Sequence, residues 1–343
     1  MTTYDIAPPP AAASSDVPPP PRKKTISSPR ARHWLGRLAH FATVLLLVTF
    51  GATLLSSLLP GSPAAAILGP TATPEDIATL EAENGWDQPL PVRYFNWLGN
   101  AVQGDFGNST QSGEPVLSEI LSRVPVTLEL SLLALAISLL IAVPAAIYSA
   151  SKEGAVVDRV STSVASMLMS TPVFVAGVLL IYLLAVRTGW FPIAGWSPLS
   201  DGISGNVTFA LLPALALALG EAPSFFRLLR ADMITTLNED FVTTATARGL
   251  PRWYVLLRHV LRPSSFSLLT VAAVTFGRLL AGSVVIESLF ALPGIGNLVL
   301  QSIPARDITL VQGVVVFIAL VYVVVNMAVD GLYAVLDPRV RTR

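Results

Sequence analysis

The chain has 343 residues, 52% of them hydrophobic and only 13% charged, with a formal net charge of zero and a mean hydropathy of +0.63. That balance lies far outside the range of a water-soluble globule and assigns the chain to a bilayer. Zero net charge and the absence of cysteine exclude a nucleic-acid footprint and a disulfide framework.

Residues 1–33 hold Pro8 to Pro10 and Pro18 to Pro21 among Ala and Ser. Such a composition cannot bury a core, and it predicts a disordered, solvated tail. Cations from Arg22 to Arg37 then approach the inner leaflet, where anionic lipid attracts them. Residues 34–59 are the first stretch able to supply the roughly 20 apolar residues a membrane helix needs. Their apolar run exceeds the roughly 7–15 residues of a cleavable signal, so they read as an anchor.

Residues 60–123 form an extracytoplasmic segment with short helices. Between 60 and 122 stand eight acids against one base, Arg93. Thr73-Pro74-Glu75-Asp76 supplies an N-cap, a first-turn proline and acids for the helix dipole, and Gly85 is placed to stop the helix, which predicts a helix over about 74–84. Tyr94, Phe95, Trp97 and Leu98 read as an interfacial or docking surface. Asp105-Phe106-Gly107 reads as a turn.

Residues 124–343 form the core, with further spans at about 124–149, 160–186, 207–228, 263–287 and 308–331. Prolines at 125, 144, 172, 213 and 223 predict kinked helices. Six spans with the N-terminus inside leave 17 of the 22 Lys and Arg in the cytoplasm (six in the tail, two in 149–160, six in 227–262, three at the C-terminus). Cytoplasmic loops retain cations, so both termini are expected to be cytoplasmic.

The loop 229–262 is amphipathic. Ile234, Leu237, Phe241, Val242 and Ala245 recur at helical spacing; Gly249 can end that helix in the left-handed conformation, and Pro251 follows. A second helix is expected to carry Trp253, Leu256, Leu257, Val260 and Leu261 on one stripe, with Arg252, Arg258 and Arg262 off it. Two such helices, too polar to span and too apolar to stand alone in water, need a greasy partner: the headgroup layer, the protein's own helix ends, or the socket of a second protein.

Inside the spans, Glu221 and Arg278 stand out, because an ionisable group at mid-bilayer costs at least roughly 2.5–3.5 kcal/mol. Their depths are similar, so they are expected to lie near one another, either lining a path or satisfying one another as a structural pair. Glu129 and Glu287 fall near the outer boundary and Asp330 near the inner one, where interface solvation accounts for them. Pro293, Gly294 and Gly296 build an external turn suited to a gate or a binding-protein contact. Three dispersed histidines without cysteine give neither a metal cluster nor a nucleophile with its base. Gly-Lys never occurs in the chain, so no phosphate-binding loop is present.

"TATARGL" (244–250) with His259 ten residues after its glycine resembles the cytoplasmic loop of ABC importer permeases, whose signature is Glu-Ala-Ala, three residues, then Gly. Here Thr243 stands at the acid, as in the dipeptide/oligopeptide branch. "GWDQPLPVRYFNWLGNAVQGDFGNS" (85–109), "RVPVTLELSLLA" (123–134), "STPVFVAGVLLIYLLA" (170–185), "FFRLLRADM" (225–233), "VIESLFALPGIGNLVLQSIPARDITLVQG" (285–313) and "LDPRVR" (336–341) are similar to that family's phrases, in its order, over about 34–343. The resemblance implies an all-α, six-span type I ABC importer permease in the inner membrane of a bacterium. It implies a homologous second permease subunit, two ATPase subunits or one fused ATPase, and an extracytoplasmic peptide-binding protein. ATP and Mg would sit on the ATPase partners and no cofactor on this chain. Coupling would fall to Phe241, Ala245, Arg248, Gly249, Trp253, Arg258 and His259. The cargo would be di- or oligopeptides, with nickel or another small solute as the alternative; a self-contained secondary transporter is the other reading.

Overall fold

The computed structural model describes residues 29–58, 62–69 and 71–336. Most of the proline-rich tail and the terminal phrase beyond Leu336 lie outside the described residues. The chain divides into two units, residues 1–42 and 43–343. In the first, only the helical stretch beginning at Pro29 is described; the second carries the rest of that helix and all the other elements. Among the described residues the fold is helical, with a single isolated β-bridge between Asn108 and Pro115.

Helix α1 (Pro29–Leu58) is followed by three short helices, α2 (Pro63–Leu68), α3 (Pro74–Glu83) and α4 (Leu90–Val102). The start of α3 is dictated locally. The Asp76 N–H donates to Thr73 Oγ1 at 3.2 Å and the Thr73 N–H donates to Asp76 Oδ2 at 3.1 Å, a reciprocal capping box. The Thr73 hydroxyl, with its backbone N–H, holds the Asp76 carboxyl below the ordinary carboxylate range. The Asp105 turn is real: the Gly107 N–H donates to Asp105 Oδ1 at 2.9 Å, and Phe106 is buried.

Then come α5 (Val116–Ser151), α6 (Val156–Ser170), α7 (Val173–Leu180, prolonged by a π-helical stretch Ile181–Arg187) and α8 (Ile203–Leu237), preceded by a single 3-10 turn at Leu199–Asp201. The remainder is α9 (Asp240–Ala247), α10 (Arg252–Tyr254, running through π-helical Val255–Val260 into α11, Leu261–Gly282), α12 (Val284–Leu289), α13 (Ile295–Ser302) and α14 (Ile308–Leu336). Four helices are long and apolar enough to cross a membrane, and the pair α6–α7, bent by 101°, would make a fifth span; Phe41–Leu54 within α1 is a shorter apolar helix. The bend has a local cause. Thr171 precedes Pro172, a position disfavoured in helical conformation, and it is extended at φ −91°, ψ 122°.

α5 lies along α8, and α8 also carries α6, α7 and α11. Small residues of α5 let the two helices approach: Ala142, Ala146 and Ala150 meet Ala222 and the larger Phe225 and Leu229 of α8 in one buried cluster. Leu130 and Ala134 join Ala214, Ala216 and Ile286 in a second. In a bilayer, where hydrophobic transfer supplies little between helices, such close approach is the main source of cohesion. A third cluster joins Phe106, Val116 and Ile120 to Ile295, Leu298 and Val314.

Candidate functional site

α8 continues to Leu237, beyond the expected end of the fourth span, and hands over through Asn238 and Glu239 to α9. Gly249 then turns the chain at φ +77°. A side chain there would meet nothing within 4 Å, so backbone conformation alone demands glycine. The resulting elbow is two-sided. Val242, Ala245, Val255, Leu256 and Val260 are buried against Leu229, Met233 and Leu268. Phe241 (48% exposed), Trp253 (58%), Tyr254 and Leu257, with Arg248 and Arg258, face outward. His259 is half-buried, its ring edge-on to Tyr254 at 5.6 Å. Of the coupling candidates, Ala245 therefore faces the protein's own core, while Phe241, Arg248, Gly249, Trp253 and Arg258 are presented outward.

The stripe expected on the second helix holds in part: Leu256 and Val260 are buried and Leu261 packs against the same cluster. Trp253 and Leu257 point away from the core and Val255 takes an inward position. The π-helical turn at Val255–Val260 widens the repeat from i+4 to i+5 bonding, which shifts every side chain relative to an α-helical period.

The elbow is tied to the end of α5. Arg252 donates to the Ser151 carbonyl. Beside it, Arg230 of α8 grips Asp158 of α6 with two parallel bonds, Nε to Oδ1 at 2.6 Å and a terminal nitrogen to Oδ2 at 2.7 Å. Ser149 Oγ donates to Asp158 Oδ1 at 2.5 Å and the Gly154 N–H to Oδ2 at 2.9 Å. This fork-on-carboxylate geometry fixes orientation as well as charge. Sequence reasoning passed over Asp158; the available signal was an acid in the first turn of α6 with an arginine near the end of the fourth span.

Glu221 and Arg278 are brought together: the Arg278 guanidinium donates to Glu221 Oε2. The pair is lopsided, with the Glu221 side chain 12% exposed and that of Arg278 63%. Arg278 shares an exposed face of α11 with Ser267, Val271 and Val274.

The turn holding Pro293, Gly294 and Gly296 is packed inward, with both glycines buried. It closes over Glu287, which is 0% exposed, so interface solvation does not account for this acid. Its Oε1 accepts from Thr127 Oγ1 at 2.8 Å and Ser283 Oγ at 2.7 Å, and its Oε2 from the Asn297 N–H at 3.0 Å. Thr127 Oγ1 in turn accepts from the Ile295 N–H at 2.9 Å. A Cβ on Gly294 would collide with the Glu287 carboxylate, and one on Gly296 would lie 2.6 Å from Val284 Cα. The glycines thus make room for a buried acid, a long-range demand that turn chemistry alone does not reveal.

Among the described residues no group of His, Cys, Asp and Glu is placed to hold a metal ion. The family profile described as "Binding-protein-dependent transport system inner membrane component" matches residues 142–342, and its N-terminal companion matches residues 31–131. A probable peptide ABC transporter permease protein of Sinorhizobium fredii is 36% identical over 307 residues, covering 90% of this chain and 98% of the relative. A putative peptide transport system permease protein of Brucella abortus is 39% identical over 307 residues, with the same 90% and 98% coverage. The glutathione transport system permease protein GsiC of Escherichia coli is 34% identical over 305 residues, covering 89% of this chain and 97% of its own. An amino acid ABC transporter crystallised with histidines superimposes at a TM-score of 0.44 and 20% identity over 65% of this chain and 94% of that one, a likeness too remote to bear weight.

Proposed function

The chain belongs to the family of binding-protein-dependent inner-membrane transport components, and from that premise we propose that it is the permease subunit of an importer moving di- or oligopeptides inward. The peptide class is supported by the names of the relatives above. In this reading α1, α5, α6 with α7, α8, α11 and α14 make six spans with both termini cytoplasmic; four of these helices are long and apolar enough to cross a membrane, the bent pair would be a fifth, and α1 contributes the shorter apolar stretch Phe41–Leu54. A homologous second permease completes the path, two ATPase subunits or one fused ATPase hold ATP and Mg, and an extracytoplasmic peptide-binding protein delivers cargo.

The observation that carries the reading is the elbow at Gly249. It exposes Phe241, Trp253, Tyr254 and Leu257 together, on a chain without a phosphate loop. An apolar aromatic cluster on a rigid turn is the pattern of a docking anchor. Buried Ala245, Leu256 and Val260 fasten that anchor to α8 and α11, so a pull on it reaches the spans. Closure of the ATPases on ATP would swing the elbow and convert the path from inward- to outward-facing. Arg278 and Glu221 are candidates for lining that path: a guanidinium this exposed is far cheaper against water or a polar partner than against lipid.

The test is a cysteine scan along Phe241, Arg248, Trp253 and Leu257 in the co-expressed complex. Cross-links to an ATPase subunit are expected at the outward residues and not at Ala245. Cross-links only to lipid, or labelling from the outside, would remove the proposal. Trp253→Asp should abolish peptide-stimulated ATP hydrolysis without releasing the chain from the membrane.

A further inference from the structure

A cavity of about 500 Å3 lies apart from both the elbow and the Glu221–Arg278 pair. It is walled by Thr53 of α1, the end of α3, α4, the Asp105–Thr110 turn and the start of α14. Its size is within the roughly 300–1,000 Å3 of small-molecule sites. Arg93, half-buried, lines it. This is the one base among residues 60–122, a stretch with eight acids, yet its guanidinium has no ion pair or hydrogen bond among the described residues. Burial works against its charge, lowering its pKa, and no partner among the described residues offsets that.

Two of those acids stand in the same walls. Glu83 and Asp105 line the cavity, and Asp105 commits only Oδ1, to the Gly107 N–H at 2.9 Å. Two further polar atoms are enclosed without partners, Trp97 Nε1 and Thr110 Oγ1. Buried polar groups are normally satisfied, and exceptions call for an explanation. A site for a simple anion would not carry two carboxylates in its walls. A site for a simple cation would not hold Arg93.

We propose that this cavity binds a small zwitterion of the peptide class, its carboxylate on Arg93 and its ammonium toward Glu83 and Asp105. Trp86 and Trp97, both in the walls, supply flat apolar surface for the backbone between those charges. The inference rests on the peptide reading above, which puts this segment on the face where cargo arrives. It makes the permease itself a second point of contact for cargo, ahead of the membrane path.

The experiment uses the full chain in its complex, in lipid nanodiscs, titrated calorimetrically with dialanine, dialanine amide and N-acetyl-dialanine. Dialanine is expected to saturate, and each blocked form to bind at least about tenfold more weakly, the loss that follows from removing one charge-assisted contact. Arg93→Gln should erase the preference for dialanine over its amide, and Arg93→Lys should keep part of it. Arg187→Gln, an exposed cation outside the cavity, should change nothing in the titration. Absence of saturation, equal binding of dialanine and its amide, or an unchanged preference in Arg93→Gln would overturn the site. So would a variant that weakens capture of the peptide-free binding protein while leaving the dialanine titration intact, since Arg93 would then be a protein contact. Peptide uptake by the same complex reconstituted in sealed proteoliposomes separates the two claims. Uptake with a flat titration removes the cavity site alone, whereas a complex that takes up no peptide removes the proposed function as well.

Discussion

Glu287 and Asp158 are both enclosed acids, and different surroundings stabilise them. Asp158 has a guanidinium fork; Glu287 has three neutral donors and no cation among the described residues. Thr127 serves two groups at once, donating to Glu287 and accepting from the Ile295 N–H. Thr127→Val keeps the shape and removes the hydroxyl, leaving a buried carboxylate short of a donor and an amide without an acceptor. It should destabilise the fold by about 1–3 kcal/mol, read as a lower thermal midpoint in detergent. Arg230→Gln should cost more, about 3–5 kcal/mol, because it strands a buried charge. Adding Asp158→Asn should recover part of that loss, and a strictly additive double-mutant cycle would show that the pair is not coupled. Neither acid's surroundings were legible in the sequence. Thr127 and Glu287 are 160 residues apart and Asp158 and Arg230 are 72 apart, and no local period links such positions. Glu221 and Arg278 were found because a charge inside an apolar run is conspicuous and similar depth brings two such charges into reach.

Local chemistry was readable at the level of elements. Thr73-Pro74-Glu75-Asp76 announces α3 because its cap is completed within four residues. The elbow was foreseen because Gly249 and Pro251 act on their own backbone. The helix after the elbow was foreseen, and its buried face only in part: Leu256, Val260 and Leu261 face the core and Trp253 and Leu257 do not, since period counting assumes α geometry throughout and the π-helical turn at Val255–Val260 breaks that assumption. Since a Cβ at Gly249 meets empty space within this chain at φ +77°, two substitutions there separate backbone conformation from contact with a partner. Gly249→Val should cost about 1–2 kcal/mol and uncouple peptide binding from ATP hydrolysis. Gly249→Asn, a residue that visits the left-handed region, should retain most coupling. Equal loss in both variants would point to contact with a partner instead of backbone geometry.

For the whole molecule, composition and charge spacing located the apolar segments, and α5, α8, α11 and α14 stand where they were expected as long helices. Pro172 marks a kink in the third segment, and what composition does not convey is its size. Residues 160–186 are free of charge, with Ser161, Thr162, Ser163, Ser166 and Ser170 in the first half, and α6 and the helix beginning at Val173 meet at 101°. α6 has 15 residues, about 22 Å at 1.5 Å per residue, short of the roughly 30 Å of hydrocarbon. Biosynthesis inherits a timing problem from this. An insertion channel that releases straight rods of adequate length cannot release this one as it emerges. The segment is expected to be held only once α8, against which both α6 and α7 pack, has been made. Nascent chains truncated at residue 200 should therefore leave the third segment extractable by alkali or accessible to glycosylation, and chains extended past residue 237 should lock it in. A Thr171→Ala, Pro172→Ala pair, by straightening the run, should let it insert early.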